Sequence, residues 1–306
     1  MASAALQADG HYLSYPPRPV KESGILLARL QEEAGEGCSA LLGFDFPIGL
    51  PLAYAQRAGI RSFLAILPQL GKGKWSKFYE PALTPGEISL YRPFYPARAG
   101  HTRQQHLVDH LGVASIDDLR RRCERPHPGR RAACPLFWTL GAQQVGKAAI
   151  SGWKEVFVGQ GGSLSTISFW PFSGKLGDLL APGQLVIAET YPAEFYSHLD
   201  LEFTRRRGER SGKRVQADRR RNAAALLRWA AQAQVELLPA LHTRILEGFG
   251  PSPEAEDPFD AVVGLFGMLN VVLGRRLSGE PEEEDIRNIE GWILGQEYIT
   301  KSETPK

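Results

Sequence analysis

The chain has 306 residues, of which 43% are hydrophobic, so it can bury a full core and is not disordered. Its apolar stretches are short and interrupted, and the N-terminus lacks the basic-then-apolar pattern of a signal peptide, so we expect no membrane segment and a cytoplasmic location. Three cysteines without CxxC spacing argue against a disulfide framework and a thiolate zinc site.

The net charge of +2 conceals segments of opposite sign. Residues 92–147 hold ten Lys or Arg against four Asp or Glu, and residues 204–221 hold nine against two. Residues 247–290 hold eleven acids against three bases. An anionic partner is therefore predicted to meet the first two segments, while the third suits a cation.

The first regular elements read as strand, helix and strand. The strand His11–Val20 ends in prolines, the helix Gly24–Gly35 has helical leucine spacing, and the strand Ser39–Pro47 follows. This order predicts that the two strands pair in parallel through the helix.

The composition of the chain changes between about residues 51 and 182, where Pro, Gly and aromatic residues are frequent. We interpret this part as a large helical, aromatic-rich insertion into a single domain that spans residues 1–306. Its aromatic residues are predicted to form mainly core, with base stacking as the alternative.

Regular patterning returns with a strand over Leu185–Ala188. An Ala/Leu-rich helix over Asp218–Gln234 and an apolar helix over Asp257–Leu273 follow it. The sequence thus predicts an α/β protein with a mixed sheet flanked by helices.

Carboxylates stand at conspicuous positions in these elements. Asp45 and Glu189 each end a predicted strand just before a proline-containing turn, and Asp257 and Asp260 lie at the start of an apolar helix. Capping explains Asp257 fully, and turn capping or an ion pair are the alternatives for the two strand-end acids. Because strand ends converge on one crevice in open α/β sheets, a joint site is the sharper hypothesis.

Such a joint site would need a cation to offset the repulsion between its carboxylates. Hard oxygen ligands select Mg²⁺ or Mn²⁺, and these ions support attack of an activated water on a phosphodiester. The basic runs, Arg120–Arg131 and Thr204–Arg214, would suit the phosphates of a nucleic acid or a phosphorylated small molecule, although a solvated surface is the simpler interpretation.

Five motifs together resemble the DUF429 family, whose members are described as predicted nucleases of ribonuclease H-like fold. They are GFDFPIGLP (43–51), AETYPAEFY (188–196), SGKRVQADRR (211–220), DPFDAVVGLFG (257–267) and EGWILG (290–295). The resemblance implies a ribonuclease H-like sheet and activity as a metal-dependent hydrolase.

The resemblance also implies residue roles. Asp45, Glu189 and Asp260 would be catalytic and would hold the metal with Asp257 as a neighbouring ligand, and Lys213 and Arg214 would bind substrate.

One departure weakens this implication, because the chain begins in what corresponds to the second strand, around Ala4–Ala8, before an Asp9-Gly10 turn. We therefore expect the family's first strand, which carries the leading catalytic Asp, to be missing, either because the chain is shortened at its N-terminus or because this protein lacks the first carboxylate.

Three functional hypotheses therefore stay open. The first is a nuclease that depends on Mg²⁺ or Mn²⁺, and the second is a non-catalytic protein that binds nucleic acid or a phosphorylated ligand in the same crevice. The third is a metal-free hydrolase that uses Asp45 and Glu189 as an acid/base pair.

Overall fold

A computed structural model describes residues 1–35, 37–127, 130–141, 145–158, 167–203 and 212–298. The chain divides into two compact units. The hairpin unit comprises Met1–Lys21 and Thr190–Ser278, and the parallel-sheet unit comprises Glu22–Glu189 and the described part of Gly279–Lys306. Each unit contains helices and one three-stranded sheet, so the predicted α/β class is confirmed at this level.

The strands in chain order are β1 (Ser3–Leu6), β2 (Tyr12–Tyr15), β3 (Ala40–Phe44), β4 (Ile167–Phe169), β5 (Leu185–Glu189) and β6 (Val235–Leu237). The α-helices in chain order are α1 (Leu26–Ala34), α2 (Leu52–Ala58), α3 (Phe63–Ile66), α4 (Gln105–Leu111), α5 (Val145–Ser151), α6 (Leu176–Leu179), α7 (Pro192–Phe195), α8 (Gln216–Arg221), α9 (Ala223–Gln232), α10 (Pro239–Leu246) and α11 (Glu256–Val272). Two π-helical segments, Gly152–Val158 and Ile286–Glu290, and several short 3₁₀ turns complete the described structure.

The sheet of the hairpin unit has the order β1-β2-β6. Strands β1 and β2 pair antiparallel around the predicted Asp9-Gly10 turn, in which Gly10 has a φ of 87° and Asp9 accepts the His11 N–H. Strand β2 stops at Tyr15, earlier than predicted, because Pro16 and Pro17 cannot donate to a ladder. Strand β6, which the sequence did not indicate, pairs in parallel with β2.

The sheet of the parallel-sheet unit has the order β3-β5-β4, and both pairs are parallel. Every residue of β5 is buried, as expected for a central strand covered on both faces. The predicted strands that end near Asp45 and Glu189 are therefore confirmed. The predicted pairing of the first two strands is wrong, since β2 and β3 belong to different sheets.

Two predicted helices of the hairpin unit have different outcomes. The helix predicted over Asp257–Leu273 is confirmed as α11, although Ala255 rather than Asp257 is its N-cap, because a 3₁₀ turn precedes it. The helix predicted over Asp218–Gln234 is divided into α8 and α9 at Asn222, whose side chain bonds to the backbone of Glu202 and to the Asp218 carbonyl.

The segment interpreted as an insertion shares one hydrophobic core with the parallel sheet. Its buried aromatic side chains include Trp75, Phe78, Phe94, Phe137 and Trp153, which pack in the same cluster as Leu185 and Ile187 of β5. The prediction that most of these aromatic residues form core is confirmed. Within the described part of the chain, no helix is long and apolar enough to cross a membrane.

Helix α11 allows a test of the packing inside the hairpin unit, because its two glycines have different surroundings. A Cβ on Gly267 would lie 2.2 Å from the buried Phe195 ring, whereas a Cβ on Gly264 would have Thr190 Oγ1 as its nearest neighbour, at 4.0 Å. We expect Gly267→Ala to lower the free energy of unfolding by about 1–3 kcal/mol through overpacking, and Gly264→Ala to raise it by up to about 1 kcal/mol through helix propensity. Urea denaturation measures both, and equal effects would contradict the close approach of α7 and α11.

Candidate functional site

The two strand-end carboxylates lie at the same edge of the parallel sheet. In the register of β3 and β5, Phe44 stands opposite Glu189, so Asp45 follows directly beyond this pair. Asp45 is exposed, whereas only 4% of Glu189 is accessible. The sheet therefore places one acid in solvent and the other inside the unit.

Glu189 is held by an arginine that the sequence did not single out as a partner. Arg121, which is fully buried, donates from Nη1 to Oε2 and from Nη2 to Oε1 of Glu189, each at 2.6 Å. The Ile48 N–H donates to Oε2 at 2.7 Å. A bidentate pair of this kind is the strongest arrangement that arginine and a carboxylate form.

The same guanidinium binds a second acid and two carbonyls. Arg121 donates from Nε and Nη2 to Oε1 of Glu124 at 3.1 and 3.0 Å, and Glu124 also accepts the Arg121 N–H at 2.8 Å. Nη1 reaches the carbonyls of Ile48 and Glu290 at 3.2 and 3.1 Å. All three guanidinium nitrogens thus have acceptors inside the protein.

A third acid, Glu290, closes the cluster through backbone donors. Its Oε1 accepts the Leu52 N–H at 3.0 Å and its Oε2 accepts the Arg122 N–H at 2.8 Å. Burial raises the pKa of Glu290, and the two backbone hydrogen bonds oppose this shift. We call Arg121, Glu124, Glu189 and Glu290 the acid–arginine cluster.

The cluster contains more negative than positive charge. Burial raises the pKa of Glu189, while Arg121 and the Ile48 N–H oppose the shift and Glu124 adds to it. The guanidinium stays charged at all accessible pH values. Each of the three carboxylates accepts hydrogen bonds from Arg121 or from backbone N–H groups. A buried acid needs such donors to stay ionised.

This geometry bears on the predicted metal site. A ligand to Mg²⁺ or Mn²⁺ must direct a lone pair at the ion, and both Glu189 oxygens already face the Arg121 guanidinium. As arranged here, Glu189 does not fit a metal ligand. No group of three or more His, Cys, Asp or Glu suited to a metal is found in the described ranges. The assignment of metal to Asp45, Asp257 and Asp260 stays a prediction.

The hairpin unit holds the remaining predicted site residues at the start of α11. Lys213 Nζ donates to Oδ2 of Asp260, so the structure brings together a predicted catalytic acid and a predicted substrate-binding base. Arg214 donates from Nε to Oε2 of Glu256 at 3.1 Å. Asp257 is exposed in the same helical turn.

Arg219 fixes the backbone beside this pair. The residue is 1% exposed, and it donates to the carbonyls of Lys213, Gly248 and Gly250 at 2.5, 2.8 and 2.7 Å. All three acceptors are backbone groups, so Arg219 acts as a structural support. It holds Lys213 where its ammonium meets Asp260.

Asp260 itself is incompletely satisfied. It is 9% exposed, and its Oδ1 atom is buried without a hydrogen-bond partner among the described residues. Burial raises the pKa of Asp260, Lys213 lowers it, and Glu256 and Asp257 raise it further. A buried oxygen without a donor destabilises the ionised form, which marks Asp260 as the strained acid of the predicted set.

A separate surface groove lies in the parallel-sheet unit beside Tyr91. A tight turn pairs Ser89 with Arg92 and carries Tyr91 near its tip, with 40% of this residue exposed. The groove has a volume of about 250 Å³, and its lining residues are Lys74, Ser76, Lys77, Glu87, Ser89, Tyr91 and Arg92. We call it the Tyr91 groove.

Hydrogen bonds hold the turn of the Tyr91 groove in place. Arg92 donates to the carbonyls of Glu80 and Pro81 at 3.0 and 3.1 Å and to Oε2 of Glu87 at 2.8 Å. The backbone N–H of Leu83 keeps the pKa of Glu87 below its ordinary value, helped by Arg92. Arg92 and Glu87 thus offset each other and serve the scaffold.

Lys74 and Lys77 remain as positive charges at the Tyr91 groove. Both are exposed, and neither forms a salt bridge within the described part of the chain. Lys74 Nζ lies 5.5 Å from the ring centroids of both Trp75 and Tyr91.

Sequence reasoning missed Arg121, Glu124, Glu256 and Glu290. A local signal existed for one pair, because Arg121 and Glu124 stand three residues apart, where side chains of a helical turn meet. The composition of the basic run Arg120–Arg131 predicts a solvated or phosphate-binding surface. Nothing in its pattern distinguishes a buried arginine. Residues 204–211 of the second basic run lie outside the described residues.

Comparisons of the chain with protein-family models, with curated proteins and with solved structures find no match. The resemblance to the DUF429 family stays a prediction, and the function has to be argued from the geometry.

The first prediction from this geometry concerns Glu189. Because Glu189→Gln replaces the bidentate ion pair by a neutral amide while Arg121 keeps Glu124 as a partner, we expect the free energy of unfolding to fall by about 1–3 kcal/mol in urea denaturation. The matched control is Glu33→Gln, whose partner Arg29 lies 3.6 Å away in a partly exposed pair. This control should change stability by less than about 1 kcal/mol. A gain in stability for Glu189→Gln would indicate a strained, metal-site acid.

The second prediction concerns the pH dependence of Asp260. Its folded pKa lies above the ordinary value, so its contribution to stability is present below the unfolded pKa and is lost as the pH rises through the folded pKa. We therefore expect the stability advantage of Asp260→Asn over the wild type to grow in denaturant titrations as the pH rises from the ordinary Asp pKa, about 4, through the raised folded pKa. Asp257→Asn, at an exposed position of the same turn, is the control. An advantage that shrinks over this range would show that the Lys213 pair outweighs burial.

Proposed function

We propose that this protein binds nucleic acid without hydrolysing it, and that a single-stranded segment lies in the Tyr91 groove. The observation that carries the proposal is the exposed ring of Tyr91, which is held on a hydrogen-bonded turn and lies in a groove that Lys74 and Lys77 also line. Sites for single strands combine such stacking surfaces with positive charge. The same residue types suit any base, so the proposal implies little sequence preference.

The exposure of Tyr91 distinguishes it from most aromatic residues of its unit. Trp75, which contacts the Tyr91 ring edge-on at a centroid distance of 4.9 Å, is 2% exposed and belongs to the core. The Tyr91 ring is thus supported from within the protein, while much of its surface faces solvent. A supported ring loses little freedom when a base stacks on it.

The charges beside the ring suit a phosphate backbone. Lys74 and Lys77 line the groove, and the only acid there, Glu87, is paired with Arg92. Lysines near phosphates release condensed counterions, so binding should weaken steeply with salt. The groove therefore supplies both elements of a single-strand site.

The non-catalytic part of the proposal rests on the acid–arginine cluster. Glu189 is the most buried of the predicted metal ligands, and Arg121 occupies both its oxygens. Arg121 already offsets the charge of Glu189, so this acid does not need a divalent ion for that purpose. The acid–arginine cluster then stabilises the folded parallel-sheet unit. A cytoplasmic location would suit a nucleic-acid partner.

A second candidate function is the metal-dependent nuclease of ribonuclease H-like fold. The observation that favours it is the buried Oδ1 of Asp260, which has no hydrogen-bond partner among the described residues and belongs to an acid that pairs with Lys213, since a strained acid beside a cation suits a phosphate-handling site. Its signature would be phosphodiester hydrolysis that requires Mg²⁺ or Mn²⁺ and is lost in Asp260→Asn.

Fluorescence anisotropy with a labelled single-stranded oligonucleotide tests the binding proposal. We expect Tyr91→Ala to weaken binding by about 1–3 kcal/mol, at least about fivefold in Kd, because one stacking surface is lost. Tyr91→Phe keeps the ring and should keep most of the affinity. Lys77→Gln should reduce the slope of log K against log salt concentration.

The matched control is Lys147→Gln, an exposed lysine of the same unit that does not line the groove. Lys147→Gln should leave the affinity for the oligonucleotide unchanged. Tyr91→Ala should weaken binding by the same factor whether or not Lys147→Gln is present. The proposal fails if the wild type does not bind the oligonucleotide at low salt, or if Lys147→Gln weakens binding as much as Lys77→Gln does.

A further inference from the structure

A cavity in the hairpin unit has a chemistry that the proposed function does not use. It has a volume of about 190 Å³ and is lined by His198, Leu199, Asp200, Ala225, Arg228, Trp229, Gln232, Asn270, Arg275 and Arg276. We call it the arginine cavity. Its residues come from α9, from α11 and the chain that follows it, and from the 3₁₀ turn Ser197–Leu199 with the next residue.

The charges of the arginine cavity favour an anion. Three arginines line it, whereas Asp200 is the only acid among the described residues of its lining, so these side chains carry a formal charge of about +2 when His198 is neutral. Asp200 is exposed and has a positive φ of 53°, as expected where the 3₁₀ turn ends. A guanidinium group binds the oxygens of phosphate through paired N–H donors, which gives such a cavity both charge and geometry.

The floor of the cavity is rigid. Trp229 donates from Nε1 to Oδ1 of Asn270 at 2.7 Å and stacks on Phe266 at a centroid distance of 4.4 Å. The hydrogen bond fixes the orientation of the Asn270 amide and leaves its Nδ2 group, a donor, on the opposite side. A neutral donor on a fixed floor is the kind of group that orients a small bound anion.

One of the three arginines also has a structural role. Arg275 donates from Nη1 to the Gln232 carbonyl at 2.7 Å, at the end of α9, where a positive charge also suits the helix dipole. Arg228, in contrast, is exposed within α9 and is not placed at a helix end. The charge of Arg228 is therefore not used to cap α9.

We propose that the arginine cavity binds the phosphoryl group of a small phosphorylated compound or free phosphate. The charge of the cavity matches a dianion, and its volume is below that of pockets that enclose a drug-sized ligand. The site is independent of the Tyr91 groove, so it neither supports nor requires the nucleic-acid proposal.

Titration calorimetry on the full chain in a low-salt chloride buffer tests the site, with inorganic phosphate as the first probe and ribose 5-phosphate as the second. We expect saturable binding of at least one probe by the wild type. The double variant Arg228→Gln, Arg276→Gln should raise the Kd at least tenfold. Ribose should not bind, because it lacks the phosphoryl group.

Two variants serve as controls. Arg220→Gln removes an exposed arginine of the same unit that does not line the cavity, and it should leave the Kd unchanged. Tyr91→Ala should also leave phosphate binding unchanged, so failure of the nucleic-acid proposal remains distinguishable from failure of this one. Thermal melts show whether each variant is folded.

The two probes identify the source of the phosphoryl group. Tighter binding of ribose 5-phosphate than of phosphate indicates a phosphorylated compound, and equal binding indicates the free anion. The proposal is overturned if neither probe binds saturably, if the folded double variant binds as tightly as the wild type, or if Arg220→Gln weakens binding as much as the double variant does.

Discussion

A buried arginine that binds two acids organises the parallel-sheet unit. Arg121 pairs with Glu189 at the end of β5 and with Glu124 in its own turn, and it also reaches the carbonyl of Ile48 in the chain that follows β3. Taking such charges out of water costs several kcal/mol per ion, so the arrangement persists only when nearly every donor and acceptor is satisfied. The need to satisfy this cluster fixes the position of three chain segments at once.

This constraint also decides what the strand-end carboxylate can do. Glu189 accepts three hydrogen bonds from Arg121 and the Ile48 N–H and is only 4% exposed, so little of it faces solvent or substrate. Chemistry or binding must then use groups that are not already satisfied. Asp260, whose Oδ1 has no hydrogen-bond partner among the described residues, and the exposed Tyr91 ring are such groups.

Local patterns predicted the strand ends and α11, because alternating or continuous apolar runs bounded by proline leave few alternatives. They did not predict the partner of Glu189, which stands 68 residues away in a run that has the composition of a solvated surface. The break between α8 and α9 escaped prediction as well, since it depends on a tertiary hydrogen bond from Asn222 to Glu202. Among the aromatic residues, only the structure distinguishes the exposed Tyr91 from the buried Trp75 beside it.

The central claim, that Arg121 rather than a metal ion offsets the charge of Glu189, is tested most directly by titrating Mn²⁺ into the wild type and into Asp45→Asn. Asp45 is exposed beside Glu189 in the strand register, so its variant should fold and would still report on a metal held at this edge of the sheet. The account predicts that no Mn²⁺ binding in the wild type depends on Asp45. Binding that weakens tenfold or more in Asp45→Asn, about 1.4 kcal/mol, would contradict it and restore the metal site.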